Sequence, residues 1–290
     1  MEFRRMEFRR RNGHSTGPVQ GALGQEGALG RVKEDSMPTD ALRFAASGTT
    51  PPSRPAAPFR LLAAFAREQA DPEGFYTLLA RDSVALVERH MNLDGRLVVD
   101  VGGGAGYFAA AFRERGAQCL LVEPDSAELY SHGVPGRASV IGDGYWLPLA
   151  EASVDVCFAC NVLEHVKDPA GFIDEMIRVT RPGGLVYLSA TVWLSPWGGH
   201  ETAPFHYLGG DYAARRYLRR HGRPPKNLFG ETMFPLRAGR VLALVRRRPD
   251  VAVVEERPRY YPRWCRFLIY LPGLRELLTW NLLVILRRQA

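Results

Sequence analysis

From Asn92 onward, short apolar runs alternate with stretches of helical period. RLVVDV (96–101), QCLLVE (118–123), ASVIGD (138–143), VDVCFAC (154–160) and GLVYLSATVW (184–193) read as strands. Most are apolar on both faces, as strands buried on both sides of a parallel sheet are. Helices are expected through Phe108–Arg115, from Asp125, and through GFIDEMIRVT, with RPGG as the turn into the fifth strand. RAGRVLALVRRR then suggests a helix, VAVVEERPRYY a sixth strand and NLLVILRR an antiparallel seventh. Upstream, FRLLAAFAREQ and DPEGFYTLLARDSVALVERHM read as two helices, the second with Asp71 as N-cap and Pro72 at its first position. The alternation predicts an α/β fold, a doubly wound, Rossmann-like seven-stranded sheet with N-terminal helices and insertions after strands 5 and 6. Residues 1–56 are expected to be a disordered tail: they open on a duplicated MEFRR, continue in Gly, Ser, Thr and Pro, and offer little apolar surface to offset ordering entropy. Met37 is an alternative start. Residues 57–290 are expected to form one domain, with a core at 96–193, an insertion at 194–236, and strands six and seven with a second insertion at 237–290.

Composition narrows the class. Of 290 residues, 46% are hydrophobic and 24% charged, as in water-soluble globular proteins. No apolar run approaches the ~18 residues that span a bilayer, and MEFRRMEFRR lacks the apolar core of a secretory signal. Cys119, Cys157, Cys160 and Cys265 suggest a reduced, cytoplasmic chain without disulfides. Cys157 and Cys160 have metal-like spacing, but on a strand they point to opposite faces, so buried thiols are expected. The net charge of +7 is uneven: residues 211–290 hold 18 basic and 6 acidic side chains. Such an excess suits nucleic acid, an anionic membrane surface or a phosphorylated substrate. Only 3 of the 38 basic residues are Lys, so codon composition alone can produce the excess, and a solvated basic face is the simpler reading.

The chemistry sits at the carboxyl ends of the strands, where doubly wound sheets bind ligands. VVDVGGGAGYFA (98–109) follows the first strand with glycines that let a ligand approach the backbone. Gly104, Gly106 and Ala109 also fit a GxGxxA dinucleotide pattern, so a nicotinamide-linked reductase must be weighed. Against it, Asp100 precedes the glycines, where a carboxylate repels a pyrophosphate but accepts from an ammonium. Glu123 ends the second strand, the place for a carboxylate that accepts from two ribose hydroxyls. Asp143 ends the third, where it can accept from an adenine amino group while Tyr145 or Trp146 packs on the ring.

DVGGGAGYFA, VEPD, GDGYWLPLAEASVDVCFACNVLEHVKDP and RPGGLVYLS, in that order, resemble the class I S-adenosylmethionine-dependent methyltransferases, small-molecule type and methyltransferase type 11-like. The resemblance covers about a third of the chain, near 98–190. It implies S-adenosyl-L-methionine as cofactor, with Asp100, Gly102, Gly103, Gly104, Gly106 and Tyr107 at its methionine part. Glu123 and Pro124 would lie at its ribose, Asp143, Gly144 and Tyr145 at its adenine, and Asn161 near the sulfonium. NVLEHV departs from the Asn-Pro-Pro-aromatic motif of adenine and glutamine N-methyltransferases. It also resembles a metal-holding segment of ubiquinone-pathway O-methyltransferases, but Asn161 stands where that segment has an acid, so no metal is expected.

The resemblance places the segments after strands four and five over the acceptor. His165, His200 and His206 are the candidate bases, since removing a hydroxyl proton calls for a group titrating near ~6.5. SPWGGHETAPFHYLGG (195–210) is expected to be an acceptor lid with Gly198, Gly199, Gly209 and Gly210 as flexible ends, and Phe75 and Tyr76 are expected to lie over the cofactor. Its histidines lack the helical spacing that aligns zinc ligands. DYAARRYLRRHGR offers Arg215, Arg216, Arg219, Arg220 and Arg223 to an anionic acceptor. YYPRWCRFLIYLPGLRELL mixes aromatics and arginines as interfacial membrane segments do, although an insertion packed on the sheet is the ordinary outcome. The expected activity is methyl transfer to an oxygen of a small-molecule, lipid or glycan acceptor. A nucleic-acid methyltransferase, lacking stacking repeats, and a non-catalytic membrane-peripheral protein are the alternatives. The expected place is the cytoplasm, with the inner membrane face as the site of any peripheral contact.

Overall fold

The computed structural model describes residues 58–65, 71–131 and 138–290, and all of them fall within the unit Thr49–Ala290. The duplicated start and the rest of the expected tail lie outside the described residues. Two N-terminal helices come first, α1 (Pro58–Phe65) and α2 (Pro72–Glu88). Asp71 caps α2 by accepting from the Gly74 amide, with Pro72 next to it, as its sequence predicts.

β1 (Leu97–Val101), β2 (Gln118–Glu123), β3 (Ser139–Ile141), β4 (Val154–Cys160) and β5 (Thr180–Thr191) follow. They are connected through α3 (Tyr107–Arg113), the single-turn α4 (Ser126–Leu129) and α5 (Pro169–Val179). After β5 come α6 (Gly210–His221), α7 (Ala238–Arg246), β6 (Val251–Pro258), α8 (Leu274–Leu278) and β7 (Asn281–Arg288). The seven strands form one sheet in the order β3-β2-β1-β4-β5-β7-β6. β1 to β5 are parallel, and β7 runs antiparallel between β5 and β6. The chain winds outward from β1 to β3 and then returns to place β4 on the other side of β1. The ends of β1 and β4 therefore flank the switch point where open α/β sheets bind ligands.

Period-two alternation divides the core. Val99, Val101, Cys157, Ala159, Val186 and Leu188 face α5 and α7, while Val98, Val156, Phe158, Cys160, Leu185 and Tyr187 face α2 and α3. Cys157 and Cys160 thus lie on opposite sides of β4, and all four cysteines are free, buried thiols. One boundary differs from the expected turn. RPGG lies inside β5, because Thr180 already pairs with Val154 before the register shifts and Leu185 pairs with Val156.

The insertion after β6 is held down less than an insertion packed on the sheet would be. Its 3₁₀ segment Arg263–Tyr270 buries only Cys265 and Ile269, and α8 buries no side chain. Among the described residues no helix is long and apolar enough to cross a membrane.

Candidate active site

The glycine loop after β1 is shaped by sterics. Gly102, Gly104 and Gly106 adopt φ of 68°, 52° and 85°, and a Cβ on Gly103 would stand 2.2 Å from the Asp100 carboxylate. Asp100 itself is 1% exposed, and among the described residues neither of its oxygens has a partner within hydrogen-bond distance. Burial pushes its pKa up to about 7, the Glu123 charge adding and the Ala109 amide and Arg113 partly offsetting. A buried carboxylate with no partner beside an open backbone loop fits a cationic ligand group such as an ammonium.

Glu123 is buried at the end of β2, accepting from the Gly104 amide at 2.9 Å and the Asp125 amide at 3.0 Å. Each oxygen spends one acceptor site on the backbone and keeps one. The carboxylate is thereby fixed against the glycine loop and still able to take two hydroxyls. Asp143 accepts from the Tyr145 amide at 2.9 Å. Tyr145 sets its ring edge-on to Phe172 and accepts from the Asp168 amide, whereas Trp146 is 81% exposed. Gly144 lies against Phe172, where a Cβ would come within 2.5 Å. Pro124 continues the chain from Glu123 into the Asp125 cap of α4. Tyr76 of α2 stacks on Tyr107 at 5.8 Å, and Phe75 is buried behind it. Asn161 directly follows β4 with φ of 57°, and its Oδ1 accepts from Asn281 Nδ2 at 2.8 Å.

Beyond Asn161 a second polar group assembles. Glu164 is buried, with Oε1 accepting from the Thr191 amide at 3.0 Å and Oε2 left without a partner. His165 Nδ1 lies 2.7 Å from the Thr232 carbonyl. A carbonyl only accepts, so Nδ1 is the donor of this bond. His200, from the loop after β5, brings its ring to 5.2 Å from that of His165, and its Nε2 is buried and unpartnered. It holds φ of 48°, a left-handed conformation that costs a non-glycine residue about 1–2 kcal/mol. Burial holds His200 below the ordinary histidine range, with the Glu164 charge opposing the shift, so its neutral form is favoured. One ligand atom from each of Glu164, His165 and His200 lies within 4.8 Å of the others, so the group has the donor set for a divalent cation as well as for proton transfer.

The structure brings the rings of His165 and His200 into contact and ties the third predicted histidine to the loop backbone. His206 is buried, donates from Nε2 to the Ser195 carbonyl at 3.1 Å, and packs edge-on against Trp193. The expectation of flexible glycine ends is corrected by packing. A Cβ on Gly198 would lie 1.9 Å from the Trp193 carbonyl oxygen, on Gly199 2.5 Å from His206, and on Gly210 2.1 Å from the Phe229 ring. Gly209 alone of the four has open space. The loop also contains two 3₁₀ turns, His200–Thr202 and Phe205–Leu208. Glu201 clamps it to the next segment through the Asn227 amide and side chain. Of the α6 arginines, Arg216 stacks on Phe205 at 3.8 Å, and Arg215, Arg219 and Arg220 are exposed, as is Arg223 just beyond the helix.

Sequence reasoning missed the support beneath the site. Arg259 is fully buried and donates to Asp82, Ser83, Ser189 and the Leu79 carbonyl. No pattern in RPRYY marks it. Trp197 and Trp280, whose rings meet at 4.8 Å, were equally silent.

A doubly wound sheet with a glycine loop after β1, carboxylates ending β1 and β2, and a polar cluster beyond β4 defines a nucleoside-cofactor enzyme of the methyltransferase class. The chain matches a methyltransferase domain family over residues 99–188. It is 45% identical over 240 residues to an uncharacterized methyltransferase of Mycobacteroides abscessus, the match covering 78% of this chain and 92% of that one. A Mycolicibacterium gilvum relative, also described as an uncharacterized methyltransferase, is 46% identical over 239 residues, covering 79% and 92%. A solved S-adenosylmethionine-dependent methyltransferase from Mesorhizobium loti aligns at a TM-score of 0.49 and 19% identity, covering 72% of this chain and 98% of its own. The chain belongs to this methyltransferase family and is an S-adenosylmethionine-dependent enzyme.

Proposed function

We propose that this enzyme methylates an oxygen of a small-molecule, lipid or glycan acceptor, with His200 as the base. The observation that carries the reading is the arrival of His200, from the loop after β5, beside Glu164 and His165, which follow β4 next to the glycine-loop strand β1. S-Adenosylmethionine supplies an electrophilic methyl group. The protein must align the acceptor with it, exclude water and take up the hydroxyl proton. His200 Nε2, buried and with its ring beside His165, would take the proton of the acceptor hydroxyl. Glu164, buried alongside, offsets the imidazolium charge. Asp100 would accept from the cofactor ammonium, and Glu123 would accept from its ribose hydroxyls.

Mass spectrometry of metabolites and lipids from cells with and without the gene tests the acceptor: a species one methyl heavier at oxygen is expected. A product methylated at nitrogen or carbon overturns the reading. With that acceptor, His200→Ala should lower turnover about 10²–10⁴-fold while cofactor affinity holds. Full turnover in the variant removes His200 from the mechanism.

A second reading is favoured by the same three groups. Two imidazoles and one carboxylate suit a zinc-like divalent ion that polarises the acceptor oxygen better than they suit Mg²⁺. Dialysis against EDTA followed by Zn²⁺ separates the two. Loss and recovery of turnover supports the metal, and unchanged turnover supports the base.

A further inference from the structure

We infer that the insertion between β6 and β7 is a docking surface for an anionic lipid bilayer, set beside the acceptor opening. Apart from Tyr260, Cys265 and Ile269, its large apolar side chains are not buried. Trp264 is 73% exposed and Phe267 48%, their rings stacked 6.4 Å apart, and Leu274, Leu277 and Leu278 are exposed along α8. The polar side of α8 faces inward instead. Glu276 accepts from the Ala238 and Gly239 amides at 2.8 and 2.9 Å, capping the start of α7. A short helix that turns its carboxylate to the protein and its leucines to solvent is built for a second, apolar phase.

Charge selects that phase. Arg263 and Arg266 flank Trp264 and are exposed. They border a cavity of about 490 Å³ that also touches Glu255 and Glu256 of β6. Those two carboxylates are already matched, Glu255 by Arg257 and His90, and Glu256 by Arg246 and the Tyr270 hydroxyl. The face therefore keeps a net positive charge around exposed Trp, Phe and Leu, the combination that seats in the headgroup layer of anionic membranes. A two-fold pairing with a second copy through the same face would set Arg263 and Arg266 of one chain near their equivalents, a like-charge contact.

The insertion is anchored at the acceptor side of the sheet at both ends. At its start Tyr260 stacks with Phe65 at 5.6 Å. At its finish Trp280 packs on Trp197 of the loop after β5, and the next residue, Asn281, bonds Asn161. Joined to the acceptor reading above, on which this last step rests, the surface narrows the acceptor to a hydroxyl carried by a membrane lipid.

Co-sedimentation of the full chain with vesicles tests the surface. Binding is expected to phosphatidylglycerol–phosphatidylcholine vesicles, falling with added salt, and not to phosphatidylcholine alone. The double variant Trp264→Ser with Phe267→Ser should bind at least about tenfold more weakly, as should Arg263→Glu with Arg266→Glu. These side chains are exposed, so cofactor affinity by calorimetry should be unchanged and serves as the folding control. Absent vesicle binding, equal binding to both vesicle types, or full binding by the variants overturns the proposal. So does a dimer in light scattering that the Trp264→Ser, Phe267→Ser variant dissolves, which would assign the face to a second copy. Vesicle binding that persists while the methylated product proves not to be an O-methyl lipid keeps the surface and refutes only the acceptor.

Discussion

Asp100 is a cost to the fold without its ligand. Its pKa of about 7 in the cofactor-free chain stands above the ordinary carboxylate value of 3.8, and burial is the main cause. A folded-state pKa raised in this way means that Asp100 contributes stability below pH ~4 that is lost as pH rises through about 7. Cofactor binding has the opposite sign, because the ammonium needs the carboxylate ionised. Calorimetric affinity for S-adenosylmethionine is thus expected to fall about tenfold between pH 8 and pH 6 as Asp100 takes up a proton. Asp100→Asn should bind weakly at both pH values and flatten the profile. A wild-type affinity that ignores pH across this range would remove Asp100 from the ammonium site. Asp100→Ala and Glu123→Ala should each abolish binding while circular dichroism stays native. Both acids were legible in the sequence because each ends an apolar run, and a carboxylate at a buried strand end has few structural uses.

Elements were legible where one local rule decided them. VDVCFAC is buried at every position in the structure, so its apolar run had one reading, and β2 and β4 match their predicted bounds. The loop after β5 was not legible in this way. Its glycines suggested freedom, yet three of the four are there because neighbouring atoms leave no room for a Cβ, and sequence does not distinguish the two causes. The meeting of His200 with Glu164 and His165 was hidden for a related reason. It joins two separate loops, while linear spacing reports only ligands that share an element. Packing of this kind is measurable. Gly198→Ala and Gly199→Ala should each lower stability by about 1–3 kcal/mol in urea unfolding, since the added methyl meets a backbone carbonyl or the His206 ring. Midpoints equal to wild type would restore the flexible-hinge view of this loop.

At the scale of the whole molecule, one cation joins the layers under the site. Arg259 follows β6, donates to Asp82 and Ser83 of α2 and to Ser189 of β5, and lies 3.1 Å from the Cys160 sulfur of β4. Arginines are ordinarily surface residues, and sequence alone offered no reason to bury this one. Its place follows from topology: β6 is one of the sheet's two edge strands, and the residue after it reaches α2 and β5. Removing only the cation takes the Arg259 ion pair away from Asp82, which is 4% exposed. Breaking a buried pair from one side costs about 3–5 kcal/mol, whereas an apolar replacement of both partners is often neutral. Arg259→Ala is therefore expected to lower unfolding stability by about 3–5 kcal/mol with an unchanged urea slope. Arg259→Met combined with Asp82→Leu should recover much of that loss. If the double variant is no more stable than Arg259→Ala, the hydrogen bonds to Ser83 and Ser189, and not the charge pair, hold α2 against the strand ends.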